Sequence, residues 1–515
     1  MKRAVVLGAA LAFIILVIVS YETPSIVTDG DFAVAELYTE LATGGALDVG
    51  PYSRFGWHHP GPMYFYVQAP LYAAAGHKAA AMYAGALAIN LAALATLVWV
   101  LAREKRAGLA AVIGTACVFF AWRAPRFLAS PWTAHVPIFP AAALLVICAA
   151  IAAGRTSLLP LAILCGTFVV QTHLGFVPTI AGAFVGAFAG LLVWRDNREP
   201  LTRRVLIVSA VLAGVLWTIP AVEAIRNDGG NIRDLVRFFL LEEGRQPSIG
   251  EAALNWGYGV SGVLRSDFAL AWGGHFVAES ASWGMPIAVA QVVILLVIAA
   301  RDLRNRDRLD ASLASMCAIA TCVGLWAITR IRDDILDHEV FWLSLLGAVN
   351  LAVIAAAAFR IVERWRPIQR TADRRTSIVV CTVVVFLAAA EGTRAYLDFT
   401  AFERRRRERM AIVATYEAVR DYAKANGIRK PLFEIEGPMW SHAAGVLLRL
   451  EQAGVPFAVN PESLSIFTKA FAASGDEDVV VGIRRSGQDR PSAASVLVDA
   501  RGVYVDVIRR SPPTR

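Results

Sequence analysis

The chain has 515 residues, 57% of them hydrophobic and only 18% charged, with a mean hydropathy of +0.52. That balance excludes a soluble multidomain protein and indicates an integral membrane protein. A net charge of +8 would suggest nucleic acid as partner for a soluble chain, but here the positive residues gather at the ends of apolar runs, so no nucleic acid is implied.

Apolar runs that read as membrane-crossing helices recur at about residues 4–20, 78–101, 108–121, 135–153, 157–172, 174–194, 205–223, 283–300, 311–329, 340–360 and 377–395. They predict about eleven spans, which puts the termini on opposite faces. The first run reads as an uncleaved anchor, because it is long and no Ala-x-Ala site follows. Lys2-Arg3, the cluster Arg103, Lys105 and Arg106, then Arg155, Arg195–Arg204, Arg301–Arg308 and Arg364–Arg375 fall in alternate loops. Those loops are expected to be cytoplasmic. Arg404-Arg405-Arg406-Arg407 dissents, since it follows the last span and would lie outside. It either meets lipid phosphates at the outer leaflet or marks a span count wrong by one. The six cysteines lie in or beside apolar runs without metal-type spacing, so neither a disulfide framework nor a zinc site is expected.

The expected fold is mainly α, a polytopic transmembrane helical bundle over 1–396 with a small extracytoplasmic α/β domain over 397–515. Two long outer loops, 21–77 and 224–282, interrupt the bundle. In the first, Val34, Leu37, Tyr38 and Leu41 recur at helical spacing opposite Glu36 and Glu40, which predicts an interfacial amphipathic helix ended by Gly44-Gly45. In the second, the apolar patch 235–241 predicts another surface-lying helix. In the tail, helices at about 402–426, 439–454 and 463–471 alternate with strands at 432–435, 456–459, 478–484 and 495–508, the pattern of a partly parallel sheet.

Chemistry concentrates beside the first span. Asp29 and Asp31 follow it at once, where partial desolvation raises a carboxylate's basicity, so either can serve as a general base; an N-cap is the competing role. Trp57-His58-His59-Pro60-Gly61-Pro62 cannot continue a helix and leads into the aromatic segment 63–72. His58 and His59 are candidates for binding a donor phosphate, and Trp57, Tyr64 and Tyr66 for contacting sugar or acceptor; an aromatic belt is the competing reading. Gln171 and His173 interrupt an apolar run at a helix junction and are candidate cavity-lining groups for sugar or acceptor. Arg330, Arg332 and His338, with Arg245 in the second loop, are candidate phosphate or lipid ligands. Under the eleven-span topology His58, His59, His77, His135, His173, His275, His338 and His442 all map to the outer side, which points to a polar site there.

These features together resemble the GT-C superfamily of polytopic glycosyltransferases, which includes lipid A aminoarabinose transferases, protein O-mannosyltransferases and arabinofuranosyltransferases. The likeness rests on the acidic pair Asp29 and Asp31, the helix ending at Gly44-Gly45, the aromatic-proline segment before the second run, the many spans and the α/β tail. It is sharpest over residues 29–72. The resemblance implies an aspartate of the first outer loop as the catalytic residue and a polyprenyl-phosphate sugar as donor. Asp29 matches the first acidic position, while Gly30 separates two acids that are often adjacent in the family. His58-His59-Pro60-Gly61-Pro62 stands where relatives carry Lys-Pro-Pro or similar, which implies another branch. The activity implied is transfer of a hexosyl or pentosyl group to a lipid, glycan or protein acceptor at the extracytoplasmic face of the inner membrane. No cofactor is assigned, with a divalent cation left open. The alternatives are a flippase for a lipid-linked saccharide and a polymerase or oligosaccharyltransferase that moves a whole glycan.

Overall fold

Backbone groups inside a bilayer must be satisfied within their own segment, so an apolar run that enters it forms a helix. All eleven runs do so here. The computed structural model describes residues 2–194, 198–274, 283–365, 374–406, 409–486, 495–500 and 502–509. Among the described residues, seven helices are long and apolar enough to cross a membrane: Ala80–Arg103, Leu174–Val193, Arg203–Arg226, Gly284–Arg304, Arg308–Ile328, Asp337–Ile361 and Ile378–Arg405. The other four runs form the shorter apolar helices Leu7–Glu22, Ala107–Arg123, Ile138–Ala152 and Thr156–Thr172. The chain is a mainly α, multi-pass membrane protein.

The chain divides into two compact units, one built from Met1–Gly85, Glu223–Leu235 and Leu397–Arg515, the other from Ala86–Val222 and Val236–Tyr396. The second unit is a helical bundle around Ile138–Ala152, every residue of which is buried. That burial follows from its sequence, which is apolar on all faces. Polar side chains join its helices at two levels. Asn350 donates to Gln291 (3.1 Å) and Thr321 (3.0 Å), tying three helices through buried polar side chains. Near the helix ends Arg360 pairs with Asp302 (2.9 Å) and Asp310 (2.6 Å), and Arg106 reaches Asp310 at 2.8 Å.

The first unit holds the tail sheet, with strands β1 (Pro431–Ile435), β2 (Ala458–Val459), β3 (Val479–Arg485), β4 (Ser495–Ala500) and β5 (Val503–Arg509) in the order β2-β1-β3-β5-β4. β1 runs parallel to β2 and β3, and β5 antiparallel to β3 and β4, which makes the sheet partly parallel as expected. The single strand expected over 495–508 is a hairpin, because Gly502 at φ +82° turns the chain. The helix expected over 402–426 is two: the last apolar helix continues to Arg405, and a separate helix covers Arg409–Asn426. In the second loop the surface helix forms over Gly230–Leu240 and leaves Ile232, Val236, Phe239 and Leu240 exposed.

The first-loop helix forms over Gly30–Thr43 and ends where Gly45 takes φ +70°. It packs against the tail helix Trp440–Gln452 and against the helix Met63–Ala74. Leu37 and Phe65 are fully buried, each contributing about 1.5–3 kcal/mol. One expectation is overturned: Glu36 does not face water, because the tail helix covers its side, and Glu36 is buried. Its carboxylate accepts from Thr28 (2.7 Å), Tyr72 (3.1 Å) and Gln452 (3.3 Å). Burial pushes Glu36 up to about 7, against the opposing hydrogen bonds from Thr28 and Tyr72. The native state therefore holds this proton more tightly than the unfolded chain, whose glutamate titrates near 4.5. Stability is highest below that pH and falls as pH rises to about 7, by roughly 3 kcal/mol from this group. Glu36→Gln is expected to flatten that slope in denaturant titrations from pH 4.5 to 7; an unchanged slope would show that Glu36 does not titrate there.

Candidate functional site

Asp29 occupies the N-cap position of the helix Gly30–Thr43, in extended conformation, and its carbonyl accepts from Ala33 N (3.2 Å). Its carboxylate makes no cap bond and turns instead to two tail arginines. Oδ1 accepts from Arg409 at 2.8 Å and from Arg406 at 3.3 Å, and Oδ2 lies 3.3 Å from the second Arg406 nitrogen. Arg409 also pairs with Glu403, and both side chains are almost wholly buried. Burial alone would lower the Arg409 guanidinium, but Glu403 and Asp29 outweigh it and hold the charge.

Asp31 has a different environment. Tyr52 donates to its carboxylate, and the tyrosine ring lies edge-on to Trp440 at 5.9 Å. Burial raises Asp31 above the ordinary carboxylate range, opposed by the Tyr52 hydrogen bond and assisted by the charge of Asp29. Two carboxylates two residues apart thus differ in kind: one is tied to guanidinium groups, the other is desolvated beside a phenol.

Gly30 explains why the acids are separated. Its φ is +52°, and a Cβ there would stand 2.9 Å from the Ser441 hydroxyl of the tail helix. Gly445 of that helix approaches the Thr28 carbonyl closely too, where a Cβ would meet the oxygen at 2.7 Å. Gly30→Ala is expected to cost about 1–3 kcal/mol through left-handed strain alone, read as a lowered unfolding midpoint; an unchanged midpoint would refute this close approach.

The segment after the helix forms a small hairpin: Tyr52 bridges His58, Ser53 N donates to the Trp57 carbonyl (2.9 Å), and His59 N donates to Pro51 O (2.7 Å). This hairpin sets Tyr52 beneath Asp31. Asn231 secures it, accepting from His58 N at 2.8 Å and donating to His58 O at 2.8 Å.

Burial, with Lys469 nearby, pushes His58 down to about 4, so its ring is neutral at physiological pH. The Tyr38 hydroxyl donates to Ile466 O at 2.7 Å, so it accepts from His58 Nε2 at 3.1 Å, and the other ring nitrogen is an acceptor. His59 is buried with its ring 5.3 Å from Trp57, and Trp57 itself is buried against Phe55. Tyr64 is fully buried and accepts from Gln68 at 2.9 Å. Tyr66 is half-buried and donates to Leu47 O at 2.9 Å.

The remaining candidates belong to the second unit, where the segments of Arg245 and Arg332 adjoin, Asp333 N donating to Arg245 O at 3.1 Å. Arg245 pairs with Asp334 at 3.2 Å and Glu251 at 3.6 Å. Arg332 is buried, stacks over Phe238 at 4.0 Å and donates to the carbonyls of Phe238 and Glu242. Arg330 lies over Trp326 at 5.1 Å. His338 packs 4.9 Å from Trp132, next to Asp337 at 3.8 Å. Gln171 donates to Leu216 O at 2.8 Å, and His173 accepts from Gly175 N at 3.2 Å. His275 lies outside the described residues. Among the described residues no group of three His, Cys, Asp or Glu side chains is arranged to hold a metal ion.

Sequence reasoning missed Tyr52, Asn231 and the pairing of Arg406 and Arg409 with Asp29. The one signal was the dissenting arginine run at 404–407. Contact between Asp29 and Arg409 puts both on one side of the membrane, which requires an even number of crossings between them. Among the described residues the apolar helices from Ala80–Arg103 to Ile378–Arg405 number ten, so one crossing by each satisfies that parity.

No protein-family model matches the sequence, and no curated protein matches it. Among solved structures the chain is similar to ArnT from Cupriavidus metallidurans. The apo crystal structure aligns over 98% of both chains at 14% identity with a TM-score of 0.51. The crystal structure of that protein bound to undecaprenyl phosphate aligns over 98% of both chains at 13% identity with a TM-score of 0.49. At this identity the apo likeness carries the architecture alone: the chain shares the fold of the apo ArnT structure.

Proposed function

We propose that the chain is a membrane glycosyltransferase that moves a single sugar from a polyprenyl-phosphate donor to a hydroxyl acceptor at the extracytoplasmic face of the inner membrane. The observation that carries this reading is the pair of dissimilar aspartates beside the first apolar helix, one desolvated and one bound to cations. Asp31 takes the acceptor proton, since burial already raises its affinity for one. The acceptor oxygen attacks the anomeric carbon, the bond from that carbon to the phosphate oxygen breaks, and polyprenyl phosphate leaves with the electron pair. Tyr52 orients Asp31, and the arginine cations that lie against Asp29 offset the phosphate charge. A lipid donor suits a site beside a membrane span, because its isoprenoid remains among apolar helices while its head group reaches the carboxylates.

The GT-C fold and the concentration of these groups in one unit support a transferase over a flippase, which would need polar residues through the depth of its spans. The test is sugar transfer from a polyprenyl-phosphate donor in membranes that carry the double variant D29N/D31N. Loss of transfer is expected, and unchanged transfer would sink the proposal.

A further inference from the structure

We propose that Arg406 is the seat of the donor's phosphate, and that in the ligand-free chain the carboxylate of Asp29 occupies that seat in the phosphate's place. This rests on the polyprenyl-phosphate reading above and names the group that receives the leaving phosphate.

Two observations converge on Arg406. First, the unit that holds both aspartates needs a cation for the phosphate, and His58 is unsuited, since its one N–H is committed to Tyr38. Second, the two arginines on Asp29 are not equivalent. Arg409 is 3% exposed and shared between Asp29 and the buried Glu403, so it is a fixed part of the interior. Arg406 is 33% exposed and directs two nitrogens at the carboxylate, both at 3.3 Å. That two-pronged approach is how a guanidinium fork receives a carboxylate or a phosphate. When a phosphate takes the place of Asp29 on Arg406, Asp29 keeps its 2.8 Å contact to Arg409. The seat lies two residues along the chain from Asp31, so the leaving group and the base meet at the same loop.

The exchange makes a distinctive demand: removal of the resident carboxylate improves phosphate binding. The experiment uses the full chain in nanodiscs and measures affinity for polyprenyl phosphate, with polyprenol as a probe of the same chain length lacking the phosphate. Arg406→Gln is expected to weaken polyprenyl phosphate by about tenfold to a hundredfold and leave polyprenol unchanged, with Arg406→Lys in between. Asp29→Asn is expected to tighten polyprenyl phosphate several-fold, and it stands as a test even if Arg406→Gln fails to fold. Inorganic phosphate separates two sources of the chemistry: competition assigns the seat to phosphate itself, and lack of it to lipid-borne phosphate, both with Arg406 as ligand. Wild-type affinity in Arg406→Gln, or unchanged or weaker affinity in Asp29→Asn, overturns the assignment. If the wild-type chain does not distinguish polyprenyl phosphate from polyprenol, the donor class of the proposed function fails instead.

Discussion

Asp31→Asn is expected to lower turnover by about 10²–10⁴-fold while donor affinity stays near that of the wild type. The asparagine keeps the shape of the side chain and an oxygen for the Tyr52 hydroxyl, but it cannot take a proton. The loss therefore falls on kcat, with little change in KM. The pH profile gives a second check. Burial raises the Asp31 carboxyl, so the acidic limb of kcat should lie above the ordinary aspartate range and should disappear in the variant. Wild-type turnover in Asp31→Asn, with turnover lost in Asp29→Asn, would reverse the two assignments.

Arg409→Gln is expected to have the largest effect on stability, about 3–5 kcal/mol. The substitution removes the shared cation and leaves the Glu403 and Asp29 carboxylates close together, the first of them buried. The penalty is that of uncompensated buried charge, which exceeds the worth of the ion pair itself. Adding Glu403→Gln should recover part of the loss, because it removes one of the stranded charges. Chemical unfolding of the single and double variants in detergent reads both values. Additive losses would show that Arg409 and Glu403 are not coupled as the structure pairs them.

The bundle was legible because its signal is local. An apolar run must become a helix in a bilayer, and even the short run at 108–121 appears as the helix Ala107–Arg123. The tail sheet was legible for the same reason, except where one alternating run at 495–508 concealed two strands joined at Gly502. The two aspartates were also visible, being acids where a span meets water. Their chemistry was not, because it is set by partners remote in sequence. Asp29 meets Arg409 across 380 positions, and Glu36 meets Gln452 across 416. Periodicity put Glu36 on a polar face with no means of showing that a tail helix would cover it. The neutral state of His58 was hidden for a similar reason: adjacent histidines signal function, but their burial is a tertiary fact. Gly30 carried more information than it first gave, since it marks where the tail helix meets the acidic loop.

The central claim is that this fold breaks the bond between a sugar and a polyprenyl phosphate and passes the sugar to an acceptor. The most direct measurement is a single-turnover reaction of the purified full chain in proteoliposomes, with a labelled polyprenyl-phosphate sugar and an extract of envelope acceptors on the extracytoplasmic side. The account predicts that free polyprenyl phosphate and glycosylated acceptor appear together, one for one. Movement of the intact donor across the bilayer, with neither product formed, would contradict it.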